Sequence, residues 1–167
     1  MHELAITVIG PDRTGIVADV AEALAGVGAN LTDSTMTRLR GHFTMTLICT
    51  GPTPAEASAA LESLTGVVTE VREVAPEEDA LAEGEPFVVS VHGADRLGIV
   101  AAVTRVVAGA GGNITDLSTR LTGTLYVIIA EVDLPGGSAD ELAERLAVAA
   151  AELGVEVTLR RAESEIL

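Results

Sequence analysis

VIGPDRTGIVADVAEALAGVGANLTD, residues 8–33, returns at residues 91–116 as VHGADRLGIVAAVTRVVAGAGGNITD. The offset of 83 positions carries Gly10 onto Gly93, Asp12 onto Asp95, Arg13 onto Arg96, Gly15 onto Gly98 and Asn30 onto Asn113. A period of this length marks a duplicated supersecondary unit, so the fold can be read from one copy and checked against the other. Past this stretch the marker residues slip. Thr37-Arg38-Leu39 matches Thr119-Arg120-Leu121 and Gly41 matches Gly123, which reads as one residue lost from the second copy.

Within the first copy, Leu4–Ile9 is a short apolar run with β-branched residues, closed by Gly-Pro-Asp, and reads as a strand. Ile16, Val17, Val20, Leu24 and Val27 recur at helical spacing, and Gly26 and Gly28 stop that helix. Asn30 opens an extended segment to about Arg40. Phe43, Met45 and Leu47 then alternate as in a half-buried strand. Thr53-Pro54-Ala55-Glu56 has the form of a capping box with proline at the first helical position. Ala57, Ala60, Leu61 and Leu64 form that helix's stripe, and Val67, Thr69 and Val71 alternate in a last strand. The second copy repeats the order: a strand over 87–92, a helix from Gly98, strands over 113–121 and 125–132, a helix capped by Ser138 with Glu141, and a strand over 155–160.

The order is βαββαβ twice. Right-handed crossovers then require each unit to be an α+β, ferredoxin-like fold, with a four-stranded antiparallel sheet and both helices on one face. The boundaries read as a first domain over 1–75, an acidic linker over 76–86 and a second domain over 87–167. Each unit alone is small and has open sheet edges, so the two are expected to pair edge to edge into one sheet of about eight strands. The bare sheet face is expected to drive homo-oligomer formation.

Composition narrows the function. Apolar residues make up 48% of the chain, yet only Phe43, Phe87 and Tyr126 are aromatic, so the core is built from Ala, Val, Leu and Ile. No apolar run is long enough to span a bilayer, and the start of the chain lacks the features of a signal peptide. The chain therefore reads as cytoplasmic and not membrane-bound. The net charge of −15 opposes direct binding to nucleic acid, which depends on neutralising phosphates. Cys49 is the single cysteine and sits in an alternating apolar run, the place of a buried thiol.

The duplicated loop, Gly-Pro-Asp-Arg-Thr-Gly and its twin Gly-Ala-Asp-Arg-Leu-Gly, joins the first strand to the first helix. A helix start leaves N–H groups unpaired and carries partial positive charge, which suits a carboxylate or phosphate. Gly15 and Gly98 let a ligand approach the backbone, or serve helix–sheet packing alone. Asp12 and Asp95 can hold an ammonium group or cap the helix. Asn30 and Asn113 open a strand whose start is expected near the same end of the sheet, and an amide both donates and accepts. Together these groups suit a zwitterion. Arg13 and Arg96 read as solvated flanking groups. The glycine spacing is that of a P-loop, but Ile16-Val17 and Ile99-Val100 stand where Lys-Ser/Thr is required. His2, His42 and His92 have no metal-pair spacing, and no nucleophile elbow is present. Neither an enzyme nor a cofactor is expected.

A βαββαβ unit with Asp-Arg-x-Gly-Ile-Val at its first loop and Gly-x-Asn-[Leu/Ile] at its second strand resembles an ACT domain. Two such units in tandem resemble the glycine cleavage system transcriptional repressor family. The resemblance implies an amino-acid effector held between the first loop and helix of one domain and neighbouring elements of a paired domain. Carried over residue by residue, it assigns Asp12, Thr14, Gly15, Ile16 and Asn30 in the first copy, and Asp95, Leu97, Gly98, Ile99 and Asn113 in the second. Thr14 and Leu97 replace a proline common in ACT domains. The function implied is that of a regulatory amino-acid-binding protein that signals through a protein partner, a transcription factor or an enzyme, with a transcriptional regulator lacking its own DNA-binding domain among the readings. The alternatives are a free-standing regulatory subunit of an amino-acid metabolic enzyme and a ligand-free interaction scaffold.

Overall fold

In the computed structural model, residues 3–76 and 84–162 are described, and they divide between two compact units, Met1–Glu78 and Asp79–Leu167. The first holds β1 (Glu3–Pro11), α1 (Ile16–Ala25), β2 (Asn30–Leu39), β3 (His42–Thr50), α2 (Pro54–Leu61) and β4 (Val68–Val74). The second holds β5 (Glu85–Ala94), α3 (Ile99–Gly109), β6 (Asn113–Thr122), β7 (Leu125–Leu134), α4 (Ala139–Leu153) and β8 (Glu156–Arg161). Strand β5 begins at Glu85, inside the stretch read as a linker, and residues 77–83 of that stretch lie outside the described residues.

The strand orders are β2-β3-β1-β4 and β6-β7-β5-β8, with every pair antiparallel. Leu4, Ile6 and Val8 of β1 and Phe43, Met45, Leu47 and Cys49 of β3 share one face of the first sheet, and α1 buries Ile16, Val20 and Leu24 on it. Ala57 and Leu61 of α2 complete that core. Val17, expected in the α1 stripe, points outward. The second core repeats the plan with Val89, Val91, Ile128, Ala130, Val132, Ile99, Val103, Val107, Leu142 and Leu146. Both helices of each unit therefore lie on one sheet face, as the βαββαβ order and right-handed crossovers predicted.

Each unit forms one sheet of four strands. Two expectations about local structure are corrected, the cap of α4 and the residue apparently lost from the second copy. Edge strands β2 and β6 are each broken by a bulge, at Thr32 and Thr115, whose hydroxyls donate to the carbonyls of Ile48 (3.3 Å) and Glu131 (3.4 Å). A bulged edge is poorly shaped for further pairing. Thr53 does cap α2, accepting from the Glu56 N–H at 3.2 Å, but Ser138 makes no side-chain cap on α4. Its backbone is helical, and its N–H donates to the Pro135 carbonyl in a turn.

The second correction concerns the residue apparently lost from the second copy. Gly10 pairs with Phe43 and Gly93 with Tyr126, so the offset of 83 continues through the hairpin. Asp12 N–H donates to the Gly41 carbonyl, and Asp95 N–H to that of Thr124. What moved is the turn glycine. The first hairpin places Arg40 (φ 49°) and Gly41 (φ 80°) in the left-handed region, the pattern of a type I′ turn. The second has Gly123 at φ 63° and no positive φ at Thr124, the pattern of type II′. Arg40 is the one non-glycine residue with positive φ among the described residues.

Two outcomes follow from this backbone. Arg40→Asn replaces a strained arginine with a residue that tolerates φ > 0 beside Gly41, and raises stability by about 0.5–1 kcal/mol in thermal unfolding. Gly10→Ala acts oppositely. A Cβ there meets the Gly66 carbonyl oxygen at 2.8 Å, where the chain entering β4 crosses β1, so the variant loses about 1–3 kcal/mol in the same assay.

Candidate functional site

The loops after β1 and β5 are shaped by one backbone requirement. Gly15 (φ 82°, ψ 2°) and Gly98 (φ 85°, ψ 9°) are the N-cap residues of α1 and α3, both left-handed, and neither helix has a side-chain cap. Asp12 and Asp95 are therefore not caps. A Cβ on either glycine would have nothing within 4 Å, so packing does not explain the glycines; φ does. The same geometry leaves the helix start open to solvent. Ile16 and Ile99 are buried in the cores, so only their backbone can face a ligand, while Thr14 and Leu97 are exposed.

The twin arginines have diverged. Arg13 turns onto the first turn of α1, donating to Asp19 Oδ2 at 2.6 Å. Ala102 stands in the place of Asp19 in the second unit, and Arg96 instead reaches the end of α4. Its Nη1 donates to the carbonyls of Leu153 (3.0 Å) and Glu152 (3.3 Å). A cation on the last carbonyls of a helix satisfies unpaired acceptors and complements the helix dipole. Asp12 differs from Asp95 too. It lies 3.8 Å from Arg38, whereas among the described residues no ion pair reaches Asp95. Leu121 takes the position of Arg38 in the second hairpin.

At the start of α3, whose first turn carries no carboxylate, lies an open cleft of about 410 Å³. It is lined by residues 95–101 and by Tyr126. Sequence reading missed Tyr126 because the apparent one-residue slip aligned it with Thr44. Structurally it answers to Phe43, which is fully buried, whereas Tyr126 is only partly so. An aromatic pair differing by one hydroxyl in a chain with three aromatics was the available signal.

Asn30 and Asn113 do not join their loops. Asn30 pairs with Thr50, and Thr50 with Glu3, at the start of β1, while the loop leaves β1 after Pro11. Asn113 pairs with Asp133 and Asp133 with Pro86, again the far end. Eight strand residues, roughly 27 Å, separate the two ends. Both asparagines are extended rather than left-handed, and both are exposed. Elsewhere, burial pushes the Cys49 thiol pKa up, which disfavours the nucleophilic thiolate. No cluster of three or more His, Cys, Asp or Glu side chains able to hold a metal occurs among the described residues, and no described helix is long and apolar enough to cross a membrane.

A family model for the ACT domain matches residues 2–75 and again residues 85–160. A UPF0237 protein of Methanocaldococcus jannaschii is 40% identical over 75 residues, 44% of this chain and 83% of that protein. One of Methanopyrus kandleri is 41% identical over 75 residues, with the same coverage. Each match spans the length of one unit. An unknown protein from Galdieria sulphuraria superimposes with a TM-score of 0.83 at 30% identity, covering 97% of this chain and 99% of that one. The crystal structure of a candidate glycine cleavage system transcriptional repressor superimposes at 0.68 with 21% identity, covering 98% of both chains, and shares the tandem fold.

The divergence of the arginines has a measurable consequence. Arg96→Ala removes two bonds to the end of α4 and lowers stability by about 1 kcal/mol. Arg13→Ala breaks an exposed ion pair and costs less than about 0.5 kcal/mol. Chemical denaturation of the two variants separates them; equal losses contradict the distinct roles assigned.

Proposed function

The chain belongs to the ACT domain family, and we propose that it is a regulatory protein which binds a free amino acid at the first loop of its second unit and passes its state to a protein partner. The observation that carries this reading is the 410 Å³ cavity beside Gly98. It lies toward the small end of ligand sites, which run from about 300 to 1,000 Å³, and so suits a small ligand. The bare start of α3 offers N–H donors and partial positive charge to a carboxylate. Asp95, which no ion pair reaches among the described residues, offers an acceptor to an ammonium group, and the Tyr126 hydroxyl can donate or accept. Asn30 and Asn113 are left out, since each stands at the far end of its own sheet.

The first loop is the weaker candidate. Asp19 places a carboxylate in the first turn of α1, where it repels a ligand carboxylate and occupies Arg13. Asp12 already has a cation nearby. In the second unit, Arg96 ties the loop to the end of α4, so a ligand that orders the loop also acts on that helix end. The partner that reads this change is a protein, because a chain of net charge −15 is repelled by nucleic acid. The tandem fold it shares with a candidate transcriptional repressor makes a transcription factor the first partner to test.

Calorimetric titration of the free amino acids tests the site. At least one binds, and Asp95→Ala weakens it by about 1.5–3 kcal/mol, the worth of a hydrogen bond to a charged group. Ala102→Asp imports the carboxylate of the first unit and weakens binding at least about tenfold, while a carboxylate near a helix start leaves the fold intact. If no amino acid binds, or both variants bind as the parent does, the assignment is wrong.

A further inference from the structure

The helix-free face of the second sheet carries charges in a pattern that is complementary to itself. Strand register sets Arg120, Val127, His92 and Glu156 in one row across β6, β7, β5 and β8. Four residues along the strands, Asp116, Glu131, Val88 and Arg160 form a second row. Between them lie Ser118, Ile129, Ser90 and Thr158, with Ile129 47% exposed. Edge strand β6 is thus positive in the first row and negative in the second, and edge strand β8 is the reverse. Opposite corners carry like charge, and adjacent corners carry opposite charge.

We propose that two copies of the chain meet through this face. Sheets packed face to face keep their strands nearly aligned, and a dimer of identical chains is related by a two-fold axis. Two such axes lie in the plane of the sheet, and both bring opposite signs together. An axis along the strands sets Arg120 against Glu156 of the second copy and Asp116 against its Arg160. An axis across the strands sets Arg120 against Asp116 of the second copy and Glu156 against its Arg160. A second copy suits this face better than an unrelated protein, because self-complementarity is what an isologous contact requires. The face holds two arginines and His92 among four carboxylates, Asp116, Glu131, Asp133 and Glu156, so it mixes both signs on a chain whose net charge of −15 repels a second copy elsewhere. The first sheet has only half of this arrangement. Its row Asp33, Ile48, Ala5, Arg72 matches the second row, but Thr37, Thr44, Ile9 and Val68 leave the other row uncharged.

Light scattering and sedimentation of the full chain test this. The parent is a dimer at micromolar concentration. Arg160→Glu, an exposed change, sets like charges against each other under either axis and weakens dimerisation at least about tenfold. Asp116→Arg combined with Arg160→Glu restores the dimer if the axis runs along the strands. Glu156→Arg combined with Arg160→Glu restores it if the axis runs across them. Circular dichroism melts check that each variant is folded. A monomeric parent overturns the proposal, including the case where another element of the same chain covers the face. So does a folded Arg160→Glu variant that dimerises like the parent, or failure of both pairs to rescue a folded, weakened one.

Discussion

The left-handed glycine that ends each first loop is the constraint on which the rest depends. A strand leaving the sheet must reverse direction at once if its helix is to lie back over the same sheet. Gly15 and Gly98, near φ +80°, make that reversal without a side chain at the corner. Once it is made, Ile16 or Ile99 falls straight into the core and the helical stripe is aimed at the central strands. The corner that lets the core form also leaves the first N–H groups of the helix without a cap. Fold and candidate site thus come from the same two dihedral angles.

Duplication supplied two such corners, and small substitutions have separated them. Asp19 against Ala102 decides where the neighbouring arginine goes. With a carboxylate one turn away, Arg13 closes over its own helix. Without it, and with α4 at 15 residues against 8 in α2, Arg96 crosses to the α4 carbonyls while still lining the open cleft beside α3. The hairpins diverged in the same economical way. A glycine shifted by one position exchanges one turn type for the other while the strand register is kept.

The edges and faces of each sheet carry their own devices. The threonine bulges of β2 and β6 interrupt the ladders at equivalent positions, with a hydroxyl bonded to a carbonyl of the neighbouring strand. Such interruptions discourage further strand pairing while leaving the broad faces available. Those faces are mixed rather than oily: threonine, serine and charged residues separate the apolar ones.

Sequence by itself determined the duplication, the βαββαβ order, the helical stripes and the single buried face of each sheet, because these rest on local periodicities of 2 and 3.6 residues and on glycine and proline punctuation. The duplicated loop was legible for the same reason, down to Asp12, Gly15, Asp95 and Gly98. Tertiary structure alone decided the rest. Asn30 and Asn113 looked like partners of the loop because they follow the helix closely in the chain. A helix running back along the sheet, however, delivers the next strand to the opposite end. Tyr126 looked equivalent to Thr44 until strand pairing showed that the hairpin kept its length. Arg96 looked like its twin until α4, more than fifty residues away, supplied carbonyls to bind. In each case the deciding contact joins residues far apart in the chain, and local patterning says what a segment is but not which distant segment it meets.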